Sequence, residues 1–420
     1  MMDNLLKCLI ALKAGEKMRE LTMNERKKLV SILHKRYVKA SKKEKTKLLD
    51  EFIQTTGYNR SYAAHILKTH IERDKTKRSY NRKSGRKKFY TKDVLEALIW
   101  VWKIMDFACG KRLKSVIVEV VDNLEKHGHF PFTQQVKEKL LKMSASSIDR
   151  MLKGERKKFE IRGKSHTKPG TLLKQQIKIK TFSEWSDSKV GFLQIDLVGH
   201  DGGNPKGEFC YSLDMVDVVS GWDEVVAIKN KAQIWTVQAI DVVRRRLPFE
   251  MLGINSDNGS EFINAHLSKY CQSNKIDFTR SRKYKKNDNC HVEQKNWSVV
   301  RRNVGYFRYD TQEELKLLNK LYGYLRLYNN HFQASMKLIE EMRYGSKVTK
   351  RYDKPTTPYE RLLSSKDVPQ EKKEALRQTH ETLDLYDLKR KIVKCANKLF
   401  KINEKKKTER RHLDSVKFNV

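Results

Sequence analysis

Three carboxylates in the middle of the chain stand where an acid needs a reason. Asp196 lies in the stretch Gly191–Val198, where Phe192, Gln194 and Asp196 alternate with Leu193, Ile195 and Leu197 at the period of a strand. A carboxylate between Ile195 and Leu197 is costly to bury alone, and a cation is its cheapest compensation. Asp257 closes a second short apolar stretch, Met251–Ser256, and leads into the turn Asn258-Gly259. Strand ends in helix-covered sheets are where ligands gather. Glu293 opens a helical pattern through Trp297, Val300 and Val304, with 35 residues between it and Asp257. Spacing alone is weak, because a chain with 51 Asp+Glu holds some such pair by chance. Strand position, the Asn-Gly turn and the basic run before Glu293 carry the reading instead.

The elements that must position these acids follow from periodicity. Phe209–Val219 and Trp222–Ile228 are strand-like, and a helix carries Ile234, Trp235, Val237, Ile240 and Val243. Three strands, a helix and a further strand build a mixed sheet covered by helices. Near the start, Ser41 and Glu44 form a capping box, Thr55–Asn59 is a turn, and a helix Arg60–His70 has Tyr62, Ala63, Ile66 and Leu67 at helical spacing. Arg60, His65, Lys68 and His70 lie on its outer face, as on the second helix of a helix-turn-helix. A second such module is expected over 91–154, with a helix through Trp100, Trp102 and Met105, a break at Gly110, an apolar face over Val116–Leu124, and starts at Thr133 and Ser144. Beyond Phe307 the pattern is helical through about Glu341, loop-like around Tyr352–Pro355, and helical again from about Gln370 to Phe400 before a Lys/Arg-dense tail. The expected layout is therefore a helix-turn-helix module 1–73, a basic linker 74–90, the second module 91–154, a linker 155–185, an α/β core 186–345 and a basic region 346–420.

Composition narrows the partners. With 89 Lys+Arg against 51 Asp+Glu, the net charge of +38 calls for a polyanion. No apolar run approaches the roughly 20 residues that span a bilayer, so no membrane is expected. Lys7 interrupts the faintly signal-like Leu5–Leu12. The six cysteines show no Cys-x-x-Cys spacing, which argues for a reduced, cytoplasmic setting and against zinc.

The segment from Phe192 to Arg302 resembles the catalytic core of the DDE transposase and retroviral integrase superfamily. Asp196 follows an apolar strand, Asp257-Asn258-Gly259-Ser260-Glu261-Phe262 matches the Asp-Asn-Gly-x-Glu-Phe motif, and Glu293 comes 35 residues later on a helix. The resemblance implies an RNase H-like core with a mixed five-stranded sheet, in a bacterial insertion-sequence transposase. Asp196, Asp257 and Glu293 would be catalytic residues and ligands of two Mg²⁺ or Mn²⁺ ions, Asp196 bridging the pair. Hard cations prefer such oxygens, and a pair about 3.5–4 Å apart serves in-line displacement at phosphorus. The implied partners are double-stranded DNA, both transposon ends and target, and a homodimer or higher oligomer on that DNA. In the family the site first admits water to cut a strand, and the freed 3′-hydroxyl then attacks target DNA.

The expected DNA contacts are Arg60 and Lys68, the basic run Arg280, Arg282, Lys283, Lys285 and Lys286, and Asn296 and Arg301 on the Glu293 helix. Related sequences often have Pro-Tyr where Lys283-Tyr284 stands. Trp297 reads as core rather than as a base-stacking platform. Asp214 and Asp217, on the next strand, and Asp201, in the Gly202-Gly203 turn, read as structural. His200 and His291 could each touch DNA or support a carboxylate. Two rivals remain at this level. One is a DNA-binding regulator retaining an inert nuclease fold. The other is an RNase H-type nuclease, which would have no use for sequence-reading modules.

Overall fold

The computed structural model describes residues 21–69, 89–159, 178–179, 189–257, 259, 261–281, 289–344 and 347–417. The start of the chain, His70, Arg282, Lys283, Lys285, Lys286 and most of both linkers lie outside the described residues. The chain divides into two compact units, Met1–Lys87 and Lys88–Val420.

Among the described residues the first unit holds three helices, α1 (Met23–Lys39), α2 (Lys42–Thr56) and α3 (Arg60–Thr69). Thr22 with Glu25, and Ser41 with Glu44, close capping boxes that satisfy orphan N–H groups of α1 and α2. Gly57, at φ +68, ends α2 in the left-handed conformation that glycine tolerates. Leu29, Val30, Leu49, Phe52, Ala63 and Leu67 form the core.

The second unit is built on a sheet of order β1-β6-β5-β2-β3-β4: β1 (Lys178–Ile179), β2 (Phe192–Gly199), β3 (Tyr211–Asp217), β4 (Asp223–Ile228), β5 (Gly253–Ser256) and β6 (Asp277–Arg280). β2, β3 and β4 form an antiparallel meander, while β5 runs parallel to β2 and β6 parallel to β5. The five strands β2–β6 make the mixed RNase H-like sheet, to which β1 adds two residues. β6 is a strand that periodicity missed, because four residues with Phe278 as their one apolar side chain merge into a basic run.

Alternation decides what covers each face. Leu193, Ile195, Leu213, Met215, Val226 and Ile228 point into a core closed by α8 (Gln233–Arg246), α9 (Ala265–Ser273), α13 (Pro358–Ser364) and α14 (Gln370–Thr382). Val198, Val225 and Ala227 face the other way. There they meet α10 (Cys290–Lys295), its π-helical continuation Asn296–Arg301, α11 (Arg302–Val304) and α12 (Gln312–Phe332). β4 is a sheet edge, and α12 covers it by supplying backbone partners from asparagines. Asn319 bonds Ala227 N–H and C=O at 3.0 and 2.9 Å, and Asn330 bonds Asp223 N–H and C=O at 2.9 and 2.8 Å. These bonds take up edge positions that another strand could otherwise use.

Three expectations change. The helices α4 (Lys92–Ile104), α5 (Gly110–Lys126), α6 (Gln134–Leu141) and α7 (Ala145–Arg156), expected as a separate module over 91–154, share one apolar cluster with α12 and the C-terminal α15 (Leu385–Lys417). These helices fall in the same compact unit as the sheet, so no break in packing lies at 155. The helix expected through Glu341 stops at Phe332, and a hairpin, β7 (Leu338–Tyr344) and β8 (Lys347–Tyr352), follows. Lys337 N–H donates to Asp353 at 2.6 Å and Ser335 bridges Thr356, which ties the hairpin's base. The expected helix Gln370–Phe400 is two, broken at Leu383-Asp384, where Asp384 accepts from Asp387 N–H at 2.9 Å and starts α15.

Gly110 opens α5 rather than breaking a helix; the reversal before it uses left-handed Asp106 and Phe107. A Cβ on Gly110 would sit 2.2 Å from the Ala145 carbonyl oxygen, and its N–H donates to Asp149 at 2.7 Å. Gly110→Ala is therefore expected to destabilise the second unit by roughly 1–3 kcal/mol through overpacking, read as a lower urea midpoint in equilibrium unfolding.

Candidate active site

Strand register brings the first two acids together. Ile195 pairs with Ser256 across the parallel β2 and β5, so Asp257, the residue after β5, comes level with Asp196. Gly259 N–H donates to Asp257 Oδ1 at 2.8 Å, the short-range bond that an Asp-x-Gly turn allows. The third acid arrives on α10, which lies over β2 and is fastened there at several points. Gln194 Oε1, two residues from Asp196 on the same face, accepts from His291 N–H at 3.0 Å and Val292 N–H at 3.4 Å, capping the helix start. Lys295 Nζ lies 3.7 Å from Asp223, and Arg301 donates to the Gly199 carbonyl at 2.7 Å. Glu293 sits exposed between these ties.

Asp196 is the electrostatic centre. Its Oδ2 accepts from Asn296 Nδ2 at 2.6 Å and its Oδ1 from Leu197 N–H at 2.8 Å. Burial first, then the charges of Asp257 and Glu293, raise this carboxyl to about 7 against the bonds from Leu197 and Asn296, which work in the opposite direction. The three acids therefore share one field. Among the described residues no three His, Cys, Asp or Glu side chains stand together as a metal site. The three acids do offer hard carboxylate oxygens, the donor type that a divalent cation takes.

Asp214 was read as structural, yet it pairs directly across the ladder with Asp196 and is fully buried. Burial first and the Asp223 carboxylate second hold it well above the usual carboxylate range, which favours its protonated form. Asp217 is structural: it accepts from Gly191 N–H and from Ser220 N–H and Oγ in the turn after β3. Asp201 accepts from Gly203 N–H at 3.0 Å, a turn bond. His200 is buried against Ser212 Oγ at 2.8 Å and pushed down to about 3 by desolvation, while burial takes His291 down to about 4; both are neutral side chains.

Of the residues expected to touch DNA, Lys68 is exposed on α3 and Arg60 is paired with Asp50. Arg280 ends β6. Asn296 turns inward to Asp196, and Arg301 is committed to Gly199 and to the face of Tyr306, 4.8 Å from its ring centre. The helix that Glu293 opens widens to π geometry at Asn296, so the residues after it do not keep plain α-helical spacing. Val300 is buried, whereas Trp297, read as core, is 60% exposed. Asn296 as the partner of Asp196 had no sequence signal beyond its position three residues after Glu293.

A family model described as the integrase core domain matches residues 188–286. The uncharacterized protein y4rM of Sinorhizobium fredii (strain NBRC 101917 / NGR234) is 35% identical over 345 residues, spanning 82% of this chain and 96% of its own. Among solved structures, the catalytic core domain of BIV integrase shares 18% identity, covering 40% of this chain and 91% of that one with a TM-score of 0.28. The HTLV-2 integrase catalytic core domain in complex with magnesium, in a dimeric form, also shares 18%, covering 35% and 91% with a TM-score of 0.27. The matched segment runs through β2 to β6 and holds Asp196 and Asp257 in adjacent register, and the chain belongs to the integrase-core family, within the DDE transposase and retroviral integrase superfamily.

Proposed function

We propose that the chain is a DNA transposase that binds transposon terminal inverted repeats, cleaves strands at the ends and joins the 3′-hydroxyls to target DNA, working as a dimer or larger assembly on that DNA. The observation that carries the reading is the adjacent register of Asp196 and Asp257 beneath a helix that adds Glu293 to the same field. Two Mg²⁺ or Mn²⁺ ions held by Asp196, Asp257 and Glu293 would supply activation of the attacking oxygen and stabilisation of the leaving oxygen at phosphorus. The chain's own residues prepare the place. Leu197 N–H and Asn296 Nδ2 fix the two Asp196 oxygens, and Gln194, Lys295 and Arg301 hold the Glu293 helix at its height above β2. A net charge of +38 supports a phosphodiester substrate, and α3, with exposed His65 and Lys68, suits reading of a major groove.

In a nicking and strand-joining assay with Mn²⁺ on DNA carrying the element's own ends, Asp257→Asn should abolish turnover and leave end binding within a few-fold of wild type. Wild-type protein that binds those ends and never nicks them would favour a regulator with an inert nuclease fold.

The raised Asp196 carboxyl has a signed consequence. The folded state keeps this proton up to about pH 7 whereas an unfolded Asp loses it near 3.9, so this group's contribution to stability falls as pH rises from about 4 to 7. Thermal unfolding in EDTA should show that loss in wild type and a flatter profile in Asp196→Asn, and added Mg²⁺ should restore wild-type stability most above pH 7.

Asn296→Ala removes a bond that favours the charged form of Asp196. The rising limb of the nicking pH profile should therefore move to higher pH, with activity recovering in part above pH 8; an unshifted profile would assign Asn296 no such role.

A further inference from the structure

The second unit has four other described tryptophans, and all are more covered than Trp297: Trp102 and Trp222 are buried, Trp100 is partly buried and Trp235 is 38% exposed. At 60% exposure, Trp297 lies on the helix that carries Glu293 and directly follows the residue that bonds Asp196. A second bare ring stands at the far end of the same helix. Tyr306 is 51% exposed and follows Gly305, whose φ of +67 and ψ of −157 belong to a region essentially closed to other residues. Any Cβ on Gly305 would also meet the Phe307 ring at 2.9 Å. The Tyr306 ring is backed by the Arg301 guanidinium, itself fixed to the Gly199 carbonyl at the end of β2. Trp297 is the next residue after the one that bonds Asp196, and Tyr306 is braced through Arg301 to Gly199, three residues further along the strand that carries Asp196. Between them runs a helix that widens into π geometry, a distortion common at functional sites.

We propose that Trp297 and Tyr306 are a stacking platform for unpaired nucleobases of a DNA strand leading to the Asp196, Asp257 and Glu293 site. This deepens the transposase reading and rests on it. Two exposed aromatic faces with a guanidinium beneath one of them offer little to a duplex, whose bases are already stacked and whose outside is phosphate. To a single strand they offer a π surface for each base, and they accept any sequence. The substrate class is therefore a frayed or single-stranded end rather than a fully paired one.

The test uses the full chain in EDTA, so that no turnover enters. Fluorescence anisotropy compares a labelled oligothymidylate of about 20 nucleotides with a duplex of equal length, at about 0.3 M salt, where phosphate contacts are weakened. Trp297→Ala and Tyr306→Ala should each weaken oligothymidylate binding about tenfold, and Trp297→Phe should keep most of the affinity. Duplex binding and the thermal midpoint should stay as in wild type, since both rings are largely outside the core. Equal oligothymidylate affinity in wild type and both alanine variants overturns the platform. Unchanged affinity with reduced self-association also overturns it and makes the patch a contact between copies. Failure of the nicking assay with intact, ring-dependent oligothymidylate binding would sink the transposase reading and leave the platform standing.

Discussion

A carboxylate placed inside a β-strand governs this molecule. Asp196 sits between Ile195 and Leu197 on the central strand, at the level where a parallel neighbour ends in another acid. Burial and repulsion both push against its charged form, and the surroundings answer with two hydrogen bonds. Much of what covers that face serves the same strand: Gln194 caps the helix laid across it, and Arg301 ties the far end of that helix to Gly199. In the proposed function a bound divalent cation would add to that relief.

A single apolar cluster extends from α4 to α15. Within it α12 packs along α15 and β4, and Asn319 and Asn330 bond the backbone of the β4 edge. Buried polar contacts such as Ser212 Oγ with Tyr322 at 2.6 Å and Tyr328 with the Ile104 carbonyl at 2.6 Å then fix the register of α12 against both the sheet and the N-terminal helices of the unit.

Much of the architecture was legible in the residues, and for physical reasons. Alternation around Asp196 marked β2 and its two faces correctly, because one face is apolar throughout. The capping box at Ser41, and Gly57 in the turn after it, marked helix ends through bonds that are local in sequence. The failures share the opposite cause. The hairpin β7–β8, the break at Asp384 and the merging of α4–α7 with α12 and α15 depend on partners more than a dozen residues away, or on a backbone turn without a strong breaker. The same limit hid Asn296: its bond to Asp196 spans 100 positions and depends on a π turn that no local pattern announces.

The sharpest measurement is calorimetric titration of Mn²⁺ into the full chain at pH 8, with wild type compared to Asp196→Asn, Asp257→Asn and Glu293→Gln. A common cation site predicts saturable binding in wild type that Asp196→Asn removes and that the other two substitutions weaken at least tenfold. Binding isotherms that are the same in all four proteins would show that these carboxylates hold no ion together.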